Sequence, residues 1–340
     1  MRLILTLCLA GVALTALAEP STDLTYQLKG SIAKVHVVTK TGGHGVGTGV
    51  VVAKDMVATN CHVLANANGV NITKFGDSFT PIGMKADWKH DLCILRFQYL
   101  DLKPVELGDS EVLQYEQSMF SIGFPGGPPK PQVTFGKIKA LYPHDDSVIV
   151  RTDASFIMGA SGSPVFDEQG KLIAISTFKS PGRGAYFYNI PVKWVKALLD
   201  APDTTSLQSD ILPFWDAPPE ARPFFMQVVI PYQNNDWPEL ARIAAAWINQ
   251  APNTAEAHYY LAVAKANQGL VAEAKKEFKK TLALQPQHTD SLIGLGLLAN
   301  RDGDAGEVAR MHAALQAIHT DLGEAFNVAL KNQTVENQTQ

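Results

Sequence analysis

Gly159-Ala160-Ser161-Gly162-Ser163-Pro164 is the stretch on which the reading of this chain turns. A serine set between glycines, after a loop and ahead of the apolar pair Val165-Phe166, is placed for exposure and for close approach of backbone. A hydroxyl is a weak nucleophile at neutral pH, so chemistry at Ser161 requires an imidazole to take its proton and a carboxylate to fix the imidazole tautomer. Both stand upstream. His62 lies in Ala58-Thr59-Asn60-Cys61-His62-Val63 and Asp91 in His90-Asp91-Leu92-Cys93-Ile94-Leu95, each at the edge of an apolar stretch that reads as a strand. Asp87 competes for the carboxylate role, but between Ala86 and Trp88 it reads as surface, whereas Asp91 heads a strand and can be buried there. His90 reads as a loop neighbour. Ser163 is the rival nucleophile; directly before a proline, it reads as structural.

The chain order is His, Asp, Ser, and of the three unrelated folds that build this constellation only the chymotrypsin-like double barrel runs in that order. Thr59-Asn60-Cys61-His62-Val63, Asp91-Leu92-Cys93-Ile94-Leu95 and Gly159-Ala160-Ser161-Gly162-Ser163-Pro164 resemble the three signatures of trypsin-like serine peptidases, in a form nearest the bacterial HtrA/Deg branch. Gly45-Val46-Gly47-Thr48-Gly49-Val50-Val51, Ile122-Gly123-Phe124-Pro125 and Leu172-Ile173-Ala174-Ile175-Ser176 extend the likeness, in order, over roughly residues 30 to 199. The resemblance implies an all-β double six-stranded barrel with Ser161 as nucleophile, His62 as base and Asp91 as its orienting acid. It implies an oxyanion hole from the amides of Gly159 and Ser161. Phe156, Phe178 and Phe187 become candidates to line the specificity pocket, and Ser176, Thr177 and Phe178 the strand edge to which an extended peptide adds.

Two departures matter. Ala160 stands where peptidases that mature by cleavage carry an aspartate for the new N-terminus, so activation of that kind is excluded. Ser155 stands where trypsins carry their specificity aspartate, so a preference for Arg or Lys is not supported, and small or medium apolar residues fit better.

The chain opens with Arg2, an apolar run from Leu3 to Leu17 and the small-residue exit Ala16-Leu17-Ala18, which together describe a secretory signal peptide over 1–18. Export to the periplasm or medium follows. Beyond it only Cys61 and Cys93 remain, and in an oxidising compartment two cysteines suggest one disulfide. Cys61 precedes His62 and Cys93 follows Asp91 by two, in segments that must converge if the triad assembles; the alternative is two small buried thiols. A formal net charge of −4 without a basic run argues against nucleic acid. Gly42 to Gly49 lacks the Gly-Lys-Ser/Thr ending of a phosphate loop, and no residue set calls for a metal or cofactor.

After a peptidase domain over 19–199, residues 200–235 are rich in proline yet carry Phe214, Trp215, Phe224 and Phe225, so this linker is expected to pack. From residue 236 the apolar period becomes helical. Pro252, Leu261-Ala262 and Gly269 recur 34 residues on as Pro286, Leu295-Gly296 and Gly303, a period that resembles the tetratricopeptide (TPR) repeat. Ala274 and Phe278 fall where that motif keeps its small residue and aromatic, while Val308 and His312 depart from it. The reading is a TPR-like helical domain over 236–330, binding a protein, a peptide or another copy, then a disordered tail over 331–340. The function expected is an exported serine endopeptidase acting on polypeptides; the competing one is a catalytically silent peptide-binding or scaffold protein.

Overall fold

The computed structural model describes residues 20–65, 67–182, 184–204 and 209–338. The expected signal peptide, 1–18, lies outside the described residues. A short helix, α1 (Thr22–Lys29), is capped by Ser21, whose hydroxyl accepts from the Leu24 amide. Seven strands follow: β1 (Ile32–Thr39), β2 (His44–Ala53), β3 (Met56–Thr59), β4 (Ala67–Lys74), β5 (Asp77–Phe79), β6 (Gly83–Asp87) and β7 (Leu92–Arg96), with a single helical turn, α2 (Cys61–Leu64), after β3. They form one antiparallel sheet in the order β5-β4-β1-β2-β3-β7-β6. The expected six-stranded first barrel is corrected here: the sheet has seven strands, and β5 and β6 are not paired. The free edge of β6 is taken instead by Thr204, whose amide donates to the Met84 carbonyl at 2.7 Å, and Pro81 between β5 and β6 has no N–H to continue a ladder.

The second lobe is a closed barrel of β8 (Ser118–Gly123), β9 (Gln132–His144), β10 (Ser147–Thr152), β11 (Pro164–Phe166), β12 (Leu172–Lys179) and β13 (Phe187–Pro191). The long β9 closes it: residues 132–137 pair with β8 and residues 138–144 with β10, so one strand turns the corner between two ladders. Helix α3 (Val192–Leu199) then packs Trp194, Val195 and Leu198 inward.

The rest is helical: α4 (Phe224–Gln227), α5 (Val229–Gln233), α6 (Trp237–Gln250), α7 (Ala255–Asn267), α8 (Val271–Leu284), α9 (Thr289–Arg301), α10 (Ala305–Ile318) and α11 (Thr320–Gln338). Both bounds of α7 and of α8 recur 34 residues later in α9 and α10, and α6 stands the same distance before α8. Local chemistry repeats with them, since Asp236 and Asp304 cap α6 and α10 by accepting from the amides of Glu239 and Glu307. Helix α11 includes residues 331–338, within the stretch 331–340 where the sequence leads us to expect a disordered tail. No proline or glycine follows Gly323, so nothing in the backbone stops the helix.

Barrel and helices share one apolar cluster. Tyr142 of β9 stacks on Phe225 at 4.5 Å and lies 6.1 Å from Trp247 of α6, so the segment between barrel and helices is packed on both sides. The N-terminal turns of α7 and α9 face the barrel: Arg151 lies 4.0 Å from Glu256, and the Tyr115 hydroxyl is 2.7 Å from that of Thr289.

Candidate active site

Pairing of β3 with β7 sets Thr59 opposite Cys93, which delivers the α2 turn to the head of β7. There His62 Nδ1 lies 2.6 Å from Asp91 Oδ2, and the His62 backbone amide donates to Asp91 Oδ1 at 2.7 Å. The Asp91 carboxylate is 1% exposed. Its backbone is left-handed, φ 59°, a conformation that costs a non-glycine residue about 1 kcal/mol or more and persists only where neighbours enforce it. The neighbours are explicit. Its carbonyl accepts from the Cys61 amide at 3.2 Å and from Asn60 Nδ2 at 3.0 Å, and Asn60 also reaches Thr177 on the second lobe. Cys61 and Cys93 are joined by a disulfide with Cα atoms 5.0 Å apart, tying the turn that carries His62 to the strand that follows Asp91.

Asp87 serves a different histidine. His90 Nδ1 lies 2.5 Å from Asp87 and its Nε2 lies 2.8 Å from Asp145, with the ring stacked on Trp194 at 3.8 Å. Burial pulls the His90 imidazole down, but hydrogen bonds to the two carboxylates outweigh it and hold its pKa above the ordinary histidine value. This cluster braces the loop on which Asp91 sits.

The Ser161 loop is tied to the first lobe through Thr48 of β2. The Thr48 amide donates to the Ser161 carbonyl at 2.8 Å, its hydroxyl donates to the Gly159 carbonyl at 2.8 Å, and its carbonyl accepts from Thr59 Oγ1 at 2.8 Å. Glycine is required at both flanks. Gly159 and Gly162 have φ of +92° and +86°, and a Cβ there would fall within 3.0 Å of the Phe124 and Thr48 carbonyls respectively. Among the described residues the amides of Gly159 and Ser161 donate no hydrogen bond, while those of Ala160, Gly162 and Ser163 do. Two free donors thus flank the nucleophile candidate. Gly47 separates Ser161 from the His62 turn, since a Cβ at that position would meet both Val63 and the Ser161 carbonyl. Neither the Ser161 hydroxyl nor His62 Nε2 makes a hydrogen bond among the described residues. Ser163 is 1% exposed, its hydroxyl turned toward Gly123.

The pocket candidates separate. Ser155 and Phe156 line a small pocket with Ala160, Ser163 and Gln132. Phe187 packs on Phe156 at 5.1 Å. Phe178 is buried, stacked between Tyr188 at 4.7 Å and Trp215 at 5.5 Å, so its ring belongs to an aromatic core. Ser176 pairs across to Ser163 by backbone, and Thr177 donates to the Ile175 carbonyl. Trp215 was not anticipated in the site: its indole N–H donates to Asp91 Oδ2 at 3.0 Å. The only sequence signal was a concentration of aromatics among prolines.

A two-lobed β architecture with a histidine–carboxylate pair on one lobe and a glycine-flanked serine on the other resembles that of trypsin-like peptidases. Residues 47–175 match the family model described as a trypsin-like peptidase domain. The chain is 32% identical over 164 residues to a probable periplasmic serine endoprotease, DegP-like, of Chlamydia muridarum, covering 45% of this chain and 33% of that protein. It is 30% identical over 159 residues to a putative serine protease, HhoB, of Synechocystis sp., covering 44% and 38%. It therefore spans about a third of the length of these curated relatives. In fold it is similar to the crystal structure of the Rv3671c protease from M. tuberculosis, active form, with a TM-score of 0.50 and 20% identity over 56% of this chain and 92% of that one.

Proposed function

We propose that this protein is a serine endopeptidase that cleaves polypeptides. Ser161 attacks the peptide carbonyl, His62 takes and returns the proton, Asp91 holds His62 in the tautomer with Nδ1–H, and the amides of Gly159 and Ser161 receive the oxyanion. The observation that carries this reading is the buried Asp91 carboxylate at 2.6 Å from His62 Nδ1, on the lobe facing the glycine-flanked Ser161. The missing link between hydroxyl and Nε2 is expected to tighten as substrate binds, as catalytic hydrogen bonds commonly do. The unpaired amides support an oxyanion role, because donors left without a partner beside a nucleophile are ready for one.

The relatives named as periplasmic support export, and the sequence start supports a signal peptide; no helix among the described residues is long and apolar enough to cross a membrane. We infer a domain order of peptidase (19–199), packed linker (200–235) and TPR-like repeats (236–330). The recurrence of helix bounds at 34 residues supports the last of these. Because α7 and α9 lean on the barrel, a partner of the repeats would dock on the surfaces of α8, α10 and α11 facing away from it.

The free Ser161 hydroxyl favours, as a second reading, a silent peptide-binding protein. Casein hydrolysis decides between them. Purified protein is expected to cleave casein, and Ser161→Ala to lose at least about 10³-fold in rate while folding normally; a wild type with no more activity than Ser161→Ala supports the silent reading.

A further inference from the structure

We propose that Trp215 is a positioning residue of the triad, supplied from outside the peptidase domain; this rests on the serine-peptidase reading above. Asp91 Oδ2 receives two donors, His62 Nδ1 at 2.6 Å and Trp215 Nε1 at 3.0 Å, while Oδ1 receives the His62 amide. Three donors on two oxygens of a buried carboxylate leave its plane no freedom to turn. The indole also bounds the imidazole itself. Its ring stands edge-on to His62, 5.5 Å between centroids at 87°, so it blocks one direction in which the imidazole could swing and helps to cover the buried carboxylate.

The indole is held from its other side as well. Phe178 of β12 stacks on it at 16°, the Phe214 amide donates to the Lys89 carbonyl at 3.0 Å, and Phe214 is buried against His144 and Phe178. Position 215 lies beyond the matched segment 47–175 and leads into the helices, so the segment that joins the peptidase lobes to the helices also completes the set of donors on Asp91. The linker is then a support for the active site rather than a passive tether.

Trp215→Phe and Trp215→Ala in the full-length protein separate the roles of N–H and ring. Trp215→Phe keeps the packing and removes the donor. It is expected to lower kcat on a peptide substrate about tenfold, with KM within about twofold of wild type and an unchanged Tm, and to slow fluorophosphonate labelling of Ser161 by the same factor. Trp215→Ala loses the ring too and is expected to lose about a hundredfold. A Trp215→Phe protein with wild-type kcat and labelling rate overturns the proposal while leaving the hydrolase reading intact. Faster turnover in either variant overturns it in the opposite sense, making Trp215 a plug over the cleft. A wild type inert in both assays overturns the hydrolase reading and this inference with it.

Discussion

Asp91→Asn is expected to lower kcat by about 10⁴-fold with KM nearly unchanged. The reason lies in the donors around the carboxylate. Oδ1 accepts from the His62 backbone amide, and Oδ2 accepts from both His62 Nδ1 and Trp215 Nε1. An asparagine has one acceptor oxygen where the carboxylate has two. If its oxygen faces the His62 amide, its NH₂ faces the indole N–H and forces Nδ1 to become the acceptor, which puts the proton on Nε2 and removes the base. If it is flipped, its NH₂ opposes the His62 amide and displaces α2. Either arrangement buries a donor–donor conflict, so stability should also fall, by about 1–3 kcal/mol. Steady-state kinetics with a peptide substrate, beside urea unfolding of the same variant, check both statements.

Arg151→Met is expected to cost about 3–5 kcal/mol in unfolding free energy, chiefly by stranding Glu256. Arg151 is 6% exposed at the junction between β10 and the helices. Its guanidinium donates to the Lys139 carbonyl at 3.1 Å, lies 4.5 Å over the Tyr186 ring and faces Glu256 at 4.0 Å. His288 Nε2 lies 3.4 Å from the same Glu256 oxygen, and among the described residues the other carboxylate oxygen has no hydrogen-bond partner. Burial pushes the Glu256 carboxyl up, but the Arg151 charge and His288 outweigh it and hold it below the ordinary glutamate value. A depressed folded pKa stabilises the fold above the ordinary value, and this contribution is lost as pH falls through the folded one. The stability deficit of Arg151→Met should therefore be largest near neutral pH and narrow as pH falls and Glu256 protonates in both proteins. Urea melts across pH give both numbers, and adding Glu256→Leu should recover part of the loss.

Much of the site was legible because its chemistry sits in short stretches flanking recognisable strands. Asp91 heads a buried strand and Cys93 follows it by two, so the pairing of β3 with β7 brings His62, Asp91 and both cysteines together at once. What escaped depends on contacts remote in sequence. Closure of the first lobe was lost to Thr204, which takes the β6 edge from far along the chain, and nothing in the β5–β6 stretch announces that competitor. Trp215 reaches Asp91 from a proline-rich segment with no period to read. Arg151 carried a faint signal: in Val148-Ile149-Val150-Arg151-Thr152 it occupies a strand whose neighbours are buried, which for a guanidinium implies a partner from another element. Residues 331–338 carry a single apolar residue, Val335, and a stretch without an apolar stripe offers no helical period to read.

The most direct measurement is peptide mapping of the protein after reaction with a fluorophosphonate, by mass spectrometry, in wild type and in His62→Ala. A single adduct on Ser161 in wild type, absent in His62→Ala, is the expected result, since only a hydroxyl activated by that imidazole reacts at neutral pH. An adduct on Ser163 or elsewhere, or labelling of Ser161 that persists without His62, would contradict it.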